Sequence, residues 1–220
     1  MGRAGQPGKG VPGTGQPNNI NRYPNPFMTT PRILAFGGSL RRDSFNQKLA
    51  AIAAAGARAA GAEVTLVALR DFPLAVFDQD LEDAAGMPAA AKRLKELFRE
   101  HHGLLIAAPE YNSSITAALK NAIDWVSRAE TDDEPSLAAF TGKTAVLCAA
   151  SPGALGGLRG LVHVRAILGN IGVTVLPDQV AVSKAHEAFK ADGSLADEKQ
   201  AARVKKLGAQ LAHHLAKLLA

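Results

Sequence analysis

The chain has 220 residues, 47% of them hydrophobic and 20% charged, enough for one α/β domain of roughly 190 residues with a substantial core. Its formal charge is +5, but residues 1–28 hold Arg3, Lys9 and Arg22 and no acid, which leaves 22 basic against 20 acidic residues in the rest. That near-neutral remainder shows no basic stripe interleaved with aromatics, so a nucleic-acid surface is not expected; no apolar run approaches the roughly 20 residues of a membrane span; and a single cysteine, Cys148, excludes an internal disulfide.

Residues 1–30 form a Gly/Pro/Asn-rich tail. It has too few large apolar groups to offset the entropy of ordering and is predicted to be disordered. It lacks the charged, apolar, small-residue order of a signal peptide, and a cytoplasmic location is expected. From Arg32 a βα rhythm begins. Arg32–Phe36 reads as a strand ending at Gly37-Gly38, Ala50–Ala60 as an alanine-rich helix stopped by Gly61, and Glu63–Leu69 as a second strand. Asp71 to Glu82 reads as a long loop. Pro88–His101 has helical periodicity with Leu94, Leu97 and Phe98 on one face. Leu104–Ala108 is a third strand, Ile115–Arg128 a helix, Thr144–Ala150 a fourth strand, Leu158–Gly169 a helix and Val173–Val182 a fifth strand. Leu195–Leu219 closes as a long helix with Val204, Leu207, Leu211, Leu215 and Leu218 on its apolar side. Strands that are continuous apolar runs imply a parallel sheet covered on both faces, and the alternation implies a doubly wound α/β fold.

In such sheets ligands bind beyond the carboxyl ends of the strands, and three loops there look specialised. The first runs from Gly37 to Asn46, sequence GGSLRRDSFN. Its glycines permit a tight turn, its hydroxyls and amide can donate to an oxyanion, and arginine can match one bidentately. The following helix points its N-terminal N–H groups at the same place. The loop is neither G-x-x-x-x-G-K-[ST] nor G-x-G-x-x-G. The plainer reading is that Ser44 caps the helix, with Gln47 completing a capping box; the two readings are compatible. The second loop, Pro109-Glu110-Tyr111-Asn112-Ser113-Ser114, could meet the polar edge of a flat heterocycle, or could be a simple connection with Ser113 or Ser114 as N-cap. The third, Ser151-Pro152-Gly153-Ala154-Leu155-Gly156-Gly157, allows close backbone approach to a ligand, or is a flexible turn.

Cys148 sits in an apolar strand with no base partner and reads as a small buried hydrophobe. His101 and His102 end a helix, where the dipole favours positive charge. His163, His186, His213 and His214 are scattered in no metal-binding spacing, and no metal is expected. Asp124 and Trp125 read as a polar edge and a packing residue. No side-chain nucleophile is evident, so no catalytic residue is assigned.

Taken together, GGSLRRDSFNQKLA from Gly37, FPLAVFDQDLE from Phe72, PEYNSSITAALKNAIDW from Pro109 and SPGALGGLR from Ser151 resemble the NADPH-dependent FMN reductase family, which includes quinone, azo-dye and chromate reductases. The resemblance covers Arg32 to the C-terminus and leaves the tail outside. It implies a flavodoxin-like fold over residues 31–220, a five-stranded parallel sheet of order 2-1-3-4-5 with helices on both faces. It implies FMN as cofactor, NADPH or NADH as co-substrate, and a small-molecule electron acceptor. Ser39, Arg41, Ser44, Phe45 and Asn46 would hold the FMN phosphate. Pro109, Glu110, Tyr111, Asn112 and Ser113 would line the isoalloxazine, and Ser151, Gly153, Gly156 and Gly157 would approach from another side. A homodimer or homotetramer is implied, with the Asp78–Glu82 loop reaching a partner's flavin. The sequence departs from the family at Thr116-Ala117, where Pro-Gly is common, which alters the approach to the helix. An electron carrier without NAD(P)H oxidation of its own, or a module that has lost its flavin, are the competing readings; the near-neutral core argues against an acidic carrier that docks on basic partners.

Overall fold

The computed structural model describes residues 1–2 and 29–220. Of the expected disordered tail, residues 3–28 lie outside the described residues. The elements in chain order are β1 (Arg32–Gly37), α1 (Phe45–Ala59), β2 (Glu63–Ala68), α2 (Gln79–Ala85), α3 (Ala89–Glu100), β3 (Gly103–Ala107), β4 (Glu110–Tyr111), β5 (Ser114–Ile115), α4 (Ala117–Val126), β6 (Thr144–Ala150), α5 (Leu158–Asn170), β7 (Thr174–Val182), α6 (Ala185–Ala188) and α7 (Glu198–Leu218). Five strands form one parallel sheet, ordered β2-β1-β3-β6-β7. This is the 2-1-3-4-5 order expected of the five long strands.

The pleat sends alternate side chains to opposite faces. Ile33, Ala35, Leu105, Ala107, Val146 and Cys148 pack under α1 and α7, while Leu34, Phe36, Leu104, Ile106, Ala145 and Leu147 pack under α3, α4 and α5. Both faces are therefore dry, which is why the strands read as unbroken apolar runs. Helices α1 and α7 meet backbone to backbone: a Cβ on Gly56 would lie 2.0 Å from the Lys205 carbonyl oxygen, and one on Gly208 1.9 Å from that of Ala53. Trp125 is fully buried, and its indole N–H donates to the Ala75 carbonyl at 2.8 Å. Beside it, Asn121 accepts from Phe77 N–H at 2.8 Å and donates to Ala75 O at 2.9 Å. These bonds pin the segment before α2 to α4. Asp124 pairs with Lys120 on the outer side of α4, so both residues behave as read.

Several local expectations fail for identifiable reasons. The first helix begins at Phe45, five residues before Ala50, because Ser44 caps it and Asn46 and Leu49 are buried in its first turns. The stretch from Asp71 to Glu82 is not all loop: Asp78 accepts from Asp80 N–H at 2.9 Å and starts α2. Leu218 faces solvent rather than the apolar side of α7, at 62% exposure, because Leu219, four residues after the buried Leu215, takes the place against the core. His101 and His102 do not gain positive charge. Burial first, and then the cations Arg32 and Lys143, hold both pKa values below the usual histidine range, although Leu97 O and Glu100 pull His101 the other way. The Leu97 carbonyl can only accept, so His101 Nδ1 donates to it at 2.6 Å while Nε2 takes the Thr65 hydroxyl at 2.7 Å.

Candidate active site

The loops leaving β1, β3 and β6 converge at the carboxyl edge of the sheet. They enclose a cleft of about 70 Å³ lined by Ser39, Arg41, Ser44, Phe45, Asn46, Pro109, Glu110, Tyr111, Ala150, Ser151 and Pro152. It lies where the order reverses, with β2 on one side of β1 and β3 on the other. Nine of the positions expected from the sequence thus come together. Asn112, Ser113, Gly153, Gly156 and Gly157 do not line this cleft.

The first loop is shaped by sterics. A Cβ on Gly37 would lie 2.8 Å from Gln47 N, so only glycine lets α1 start this close to the strand. Ser39 Oγ accepts from Arg41 N–H at 3.2 Å, folding the loop back. Ser44 caps α1 by accepting from Gln47 N–H at 3.3 Å. The capping box does not close, because the Gln47 amide turns to the sheet, accepting from Gly37 N–H at 3.0 Å and donating to Val67 O at 2.9 Å. Asn46 is 4% exposed and its side chain is fully engaged: it donates to Ala150 O at 2.8 Å and accepts from Ala150 N–H at 2.9 Å. It stitches the start of α1 to the end of β6. What it leaves toward the cleft is backbone. Among the described residues, the N–H groups of Phe45 and Asn46 have no protein acceptor. A helix N-terminus with free N–H groups, two hydroxyls and an exposed arginine is a set of oxyanion donors.

The second loop is a two-strand hairpin, with Glu110 opposite Ile115 and Tyr111 opposite Ser114. Asn112 and Ser113 both take positive φ, +49° and +66°, as a hairpin turn of this length requires. Neither Ser113 nor Ser114 caps α4. Thr116 does, accepting from Leu119 N–H at 3.1 Å and donating to Gly38 O at 2.6 Å. The Thr116-Ala117 departure therefore ties α4 to the first loop. Glu110 turns away from the cleft mouth to α5: Arg159 N–H and Gly160 N–H donate to Oε2 at 3.0 and 3.2 Å, and Arg159 Nε to Oε1 at 2.8 Å. Burial pushes Glu110 up, but the bonds from Arg159 and Gly160 outweigh it and hold the carboxyl below the usual range. Its charge is matched, so it does not repel an anion in the cleft.

In the third loop Gly156 and Gly157 take φ of +63° and +93°. A Cβ on Gly156 would lie 2.7 Å from the Val182 backbone and one on Gly157 2.8 Å from Ala149 Cβ. These two glycines serve internal packing. Gly153 is different: a Cβ there would meet only Ser151 Oγ, at 3.6 Å, so the space beside its Cα is open, although its N–H donates to Ser151 Oγ and its carbonyl accepts from Gly156 N–H, both at 3.2 Å. Cys148 is buried, and burial pushes its thiol up to about 12, so it is an unreactive core group as read. Asp78 caps α2, and Glu82 accepts from Arg128 Nε at 2.8 Å, so both carboxylates are engaged within their own chain.

Sequence reasoning missed the hairpin, the Thr116 cap, the Glu110–Arg159 pair and the lining role of Ala150. The first had a signal in Asn112 at a turn position and the second in a threonine three residues before Leu119, whose N–H it caps; the others depend on contacts between distant segments. A larger groove of about 520 Å³ lies beyond Leu40, between α4 and residues 69–75. It is mostly apolar, and the oxyanion donors do not converge there.

A model of the NADPH-dependent FMN reductase family matches residues 31–187. The chain is 38% identical over 169 residues to an NAD(P)H-dependent FMN reductase of Pseudomonas aeruginosa, covering 76% of this chain and 86% of that protein. It is 37% identical over 137 residues to a quinone reductase of Escherichia coli K12, covering 62% and 69%. Among solved structures, a flavoenzyme NAD(P)H:(acceptor) oxidoreductase from Paracoccus denitrificans superposes with a TM-score of 0.70 at 28% identity, over 86% of this chain and 98% of that one. A flavodoxin from the domain Archaea superposes at 0.55 with 10% identity over 84% and 98%, a likeness of fold alone. The family match spans all seven strands of the described residues and all three cleft-forming loops, and the chain belongs to the NADPH-dependent FMN reductase family.

Proposed function

We propose that the chain is an NAD(P)H-dependent oxidoreductase that carries FMN at the carboxyl edge of its sheet and reduces small acceptors, quinones foremost. The observation that carries this reading is the convergence of donors around the cleft. The free Phe45 and Asn46 N–H groups, the Ser39 and Ser44 hydroxyls and Arg41 face one small volume from the N-terminus of a long helix. A phosphate monoester fits that donor set by charge and by hydrogen-bonding type. The enclosed volume, about 70 Å³, suits the phosphate end of the nucleotide and leaves the ring system to the open rim.

In this reading Ser39, Arg41, Ser44 and the backbone of Phe45 and Asn46 bind the phosphate. Pro109, Tyr111, Asn112 and Ser113 form the rim beneath the ring, and Ser151 and Gly153 close the other side. Glu110 shapes this rim through α5 rather than by direct contact. When bound, FMN supplies the two-electron exchange between a reduced nicotinamide and an acceptor, which no side chain here can supply. The protein's part is to hold and orient. Residues 31–220 act as one FMN-binding unit, in the cytoplasm, as a homodimer or homotetramer. Leu155, Leu158 and Val162 form an exposed apolar row from the third loop along α5 that is available for such assembly.

The test is steady-state turnover. Protein incubated with FMN is mixed with NADPH or NADH and a benzoquinone, and loss of nicotinamide absorbance is followed. Oxidation that needs protein, FMN and quinone together is the expected result. No oxidation with either nicotinamide, in folded protein shown to bind FMN, would leave an electron carrier in place of an enzyme.

A further inference from the structure

The β4–β5 hairpin has only two residue pairs, far less than an isolated hairpin needs to persist in water. Its turn also places Ser113 in the left-handed region, which residues other than glycine, asparagine and aspartate disfavour. Yet Tyr111 at its tip lines the cleft. Something outside the hairpin must hold it there.

Helix α5 does so at two points one turn apart. Arg159, in the first turn, donates from Nε to Glu110 Oε1 at 2.8 Å, while its backbone N–H and that of Gly160 hold Oε2. His163 shares a 2.9 Å hydrogen bond with Ser114 Oγ through Nδ1. Glu110 belongs to β4 and Ser114 to β5, so each strand has its own tie. Between the ties the helix backbone seats against both strands: a Cβ on Gly160 would lie 3.2 Å from Ser114 O and 3.4 Å from Glu110 Cβ. The Glu110 side chain is 7% exposed and that of Arg159 56%, so an enclosed carboxylate is gripped from the solvent side.

We propose that Arg159 and His163 are positioning residues that clamp the hairpin and so set the Tyr111–Ser113 rim in the shape that receives the flavin ring, although neither lines the cleft. The assignment rests on the FMN reading above, but the clamp is a property of the apoprotein and is measurable without flavin. The variants are Arg159→Ala, His163→Ala, the pair together, and Arg159→Lys, which keeps the charge and loses the fork. Val204→Ala in α7 serves as a control that lowers stability away from the hairpin.

The first measurement is hydrogen exchange of apoprotein peptides covering residues 109–116. Exchange there accelerates at least about tenfold in the double variant while β1 and β6 keep their protection. The second is FMN titration, in which Kd rises about tenfold for Arg159→Ala and Arg159→Lys recovers part of the loss. Unchanged hairpin exchange in the double variant overturns the proposal. So does a loss of FMN affinity in Val204→Ala equal to that in Arg159→Ala at a matched fall in Tm. His163→Ala, a surface change, keeps the test open if Arg159→Ala folds poorly. Wild-type protein that does not bind FMN would sink the functional reading and leave the exchange result to decide the clamp.

Discussion

Replacing Asn46 with alanine uncouples the first loop from the third. Its amide both donates to Ala150 O at 2.8 Å and accepts from Ala150 N–H at 2.9 Å, in a position 4% exposed. Alanine leaves that N–H and that carbonyl buried with no partner. Each such group costs about 1–3 kcal/mol, so the apoprotein should lose roughly 2–6 kcal/mol. For a domain of this size each kcal/mol lowers Tm by about 2–4 °C, which predicts a fall of at least roughly 4 °C and up to roughly 24 °C. The assay is thermal unfolding of flavin-free protein followed by circular dichroism. Asn46→Asp sharpens it: the carboxylate still accepts from Ala150 N–H but sets an oxygen against Ala150 O, so Tm also falls, and acid that protonates the new side chain recovers part of the loss. An Asn46→Ala apoprotein melting within about 1 °C of wild type would refute the claim that this side chain joins α1 to β6.

Thr116→Val removes both the α4 cap and the bond to Gly38 O. The expected cost is about 1–2 kcal/mol in urea unfolding, with weaker FMN binding because Gly38 adjoins Ser39; an unchanged unfolding midpoint contradicts it. Lys143, pushed from 10.5 to about 8 by burial and then by Arg32, regains its proton on unfolding between those two pH values. The unfolded chain then binds more protons, so stability rises with pH across that window, by up to ~3 kcal/mol less what solvent access relieves. Lys143→Met should lose this slope in urea titrations, and equal slopes in the two proteins refute the assignment. Cys148, with its thiol at about 12 and fully enclosed, should resist iodoacetamide in native protein and react once urea unfolds it; rapid native labelling would contradict the burial.

The five long strands and their order could be read because each is an unbroken apolar run between turn signals, and because the alternation with helices leaves few topologies. The first loop could be read because its donors are close in sequence and adjoin a helix start. Contacts between distant segments were harder. Asn46 has the same identity whether it faces a phosphate or the Ala150 backbone, and only the folded chain tells them apart. Glu110 is similar: the loop places a carboxylate near the cleft, but Arg159 determines which way it turns. Gly156 and Gly157 read as ligand-facing until Val182 and Ala149 are seen on the side where a Cβ would go. Histidines at a helix end suggest positive charge, but burial first, and then the neighbouring Arg32 and Lys143, hold both below the usual histidine range.

The whole assignment turns on whether the N-terminus of α1 recognises a phosphate. Parallel titrations of apoprotein with FMN and with riboflavin, identical but for that group, isolate it. Two or more charge-assisted bonds at about 1.5–3 kcal/mol each predict FMN binding at least about 100-fold tighter than riboflavin, with most of that difference lost in Arg41→Ala. Equal affinity for the two flavins would contradict the account.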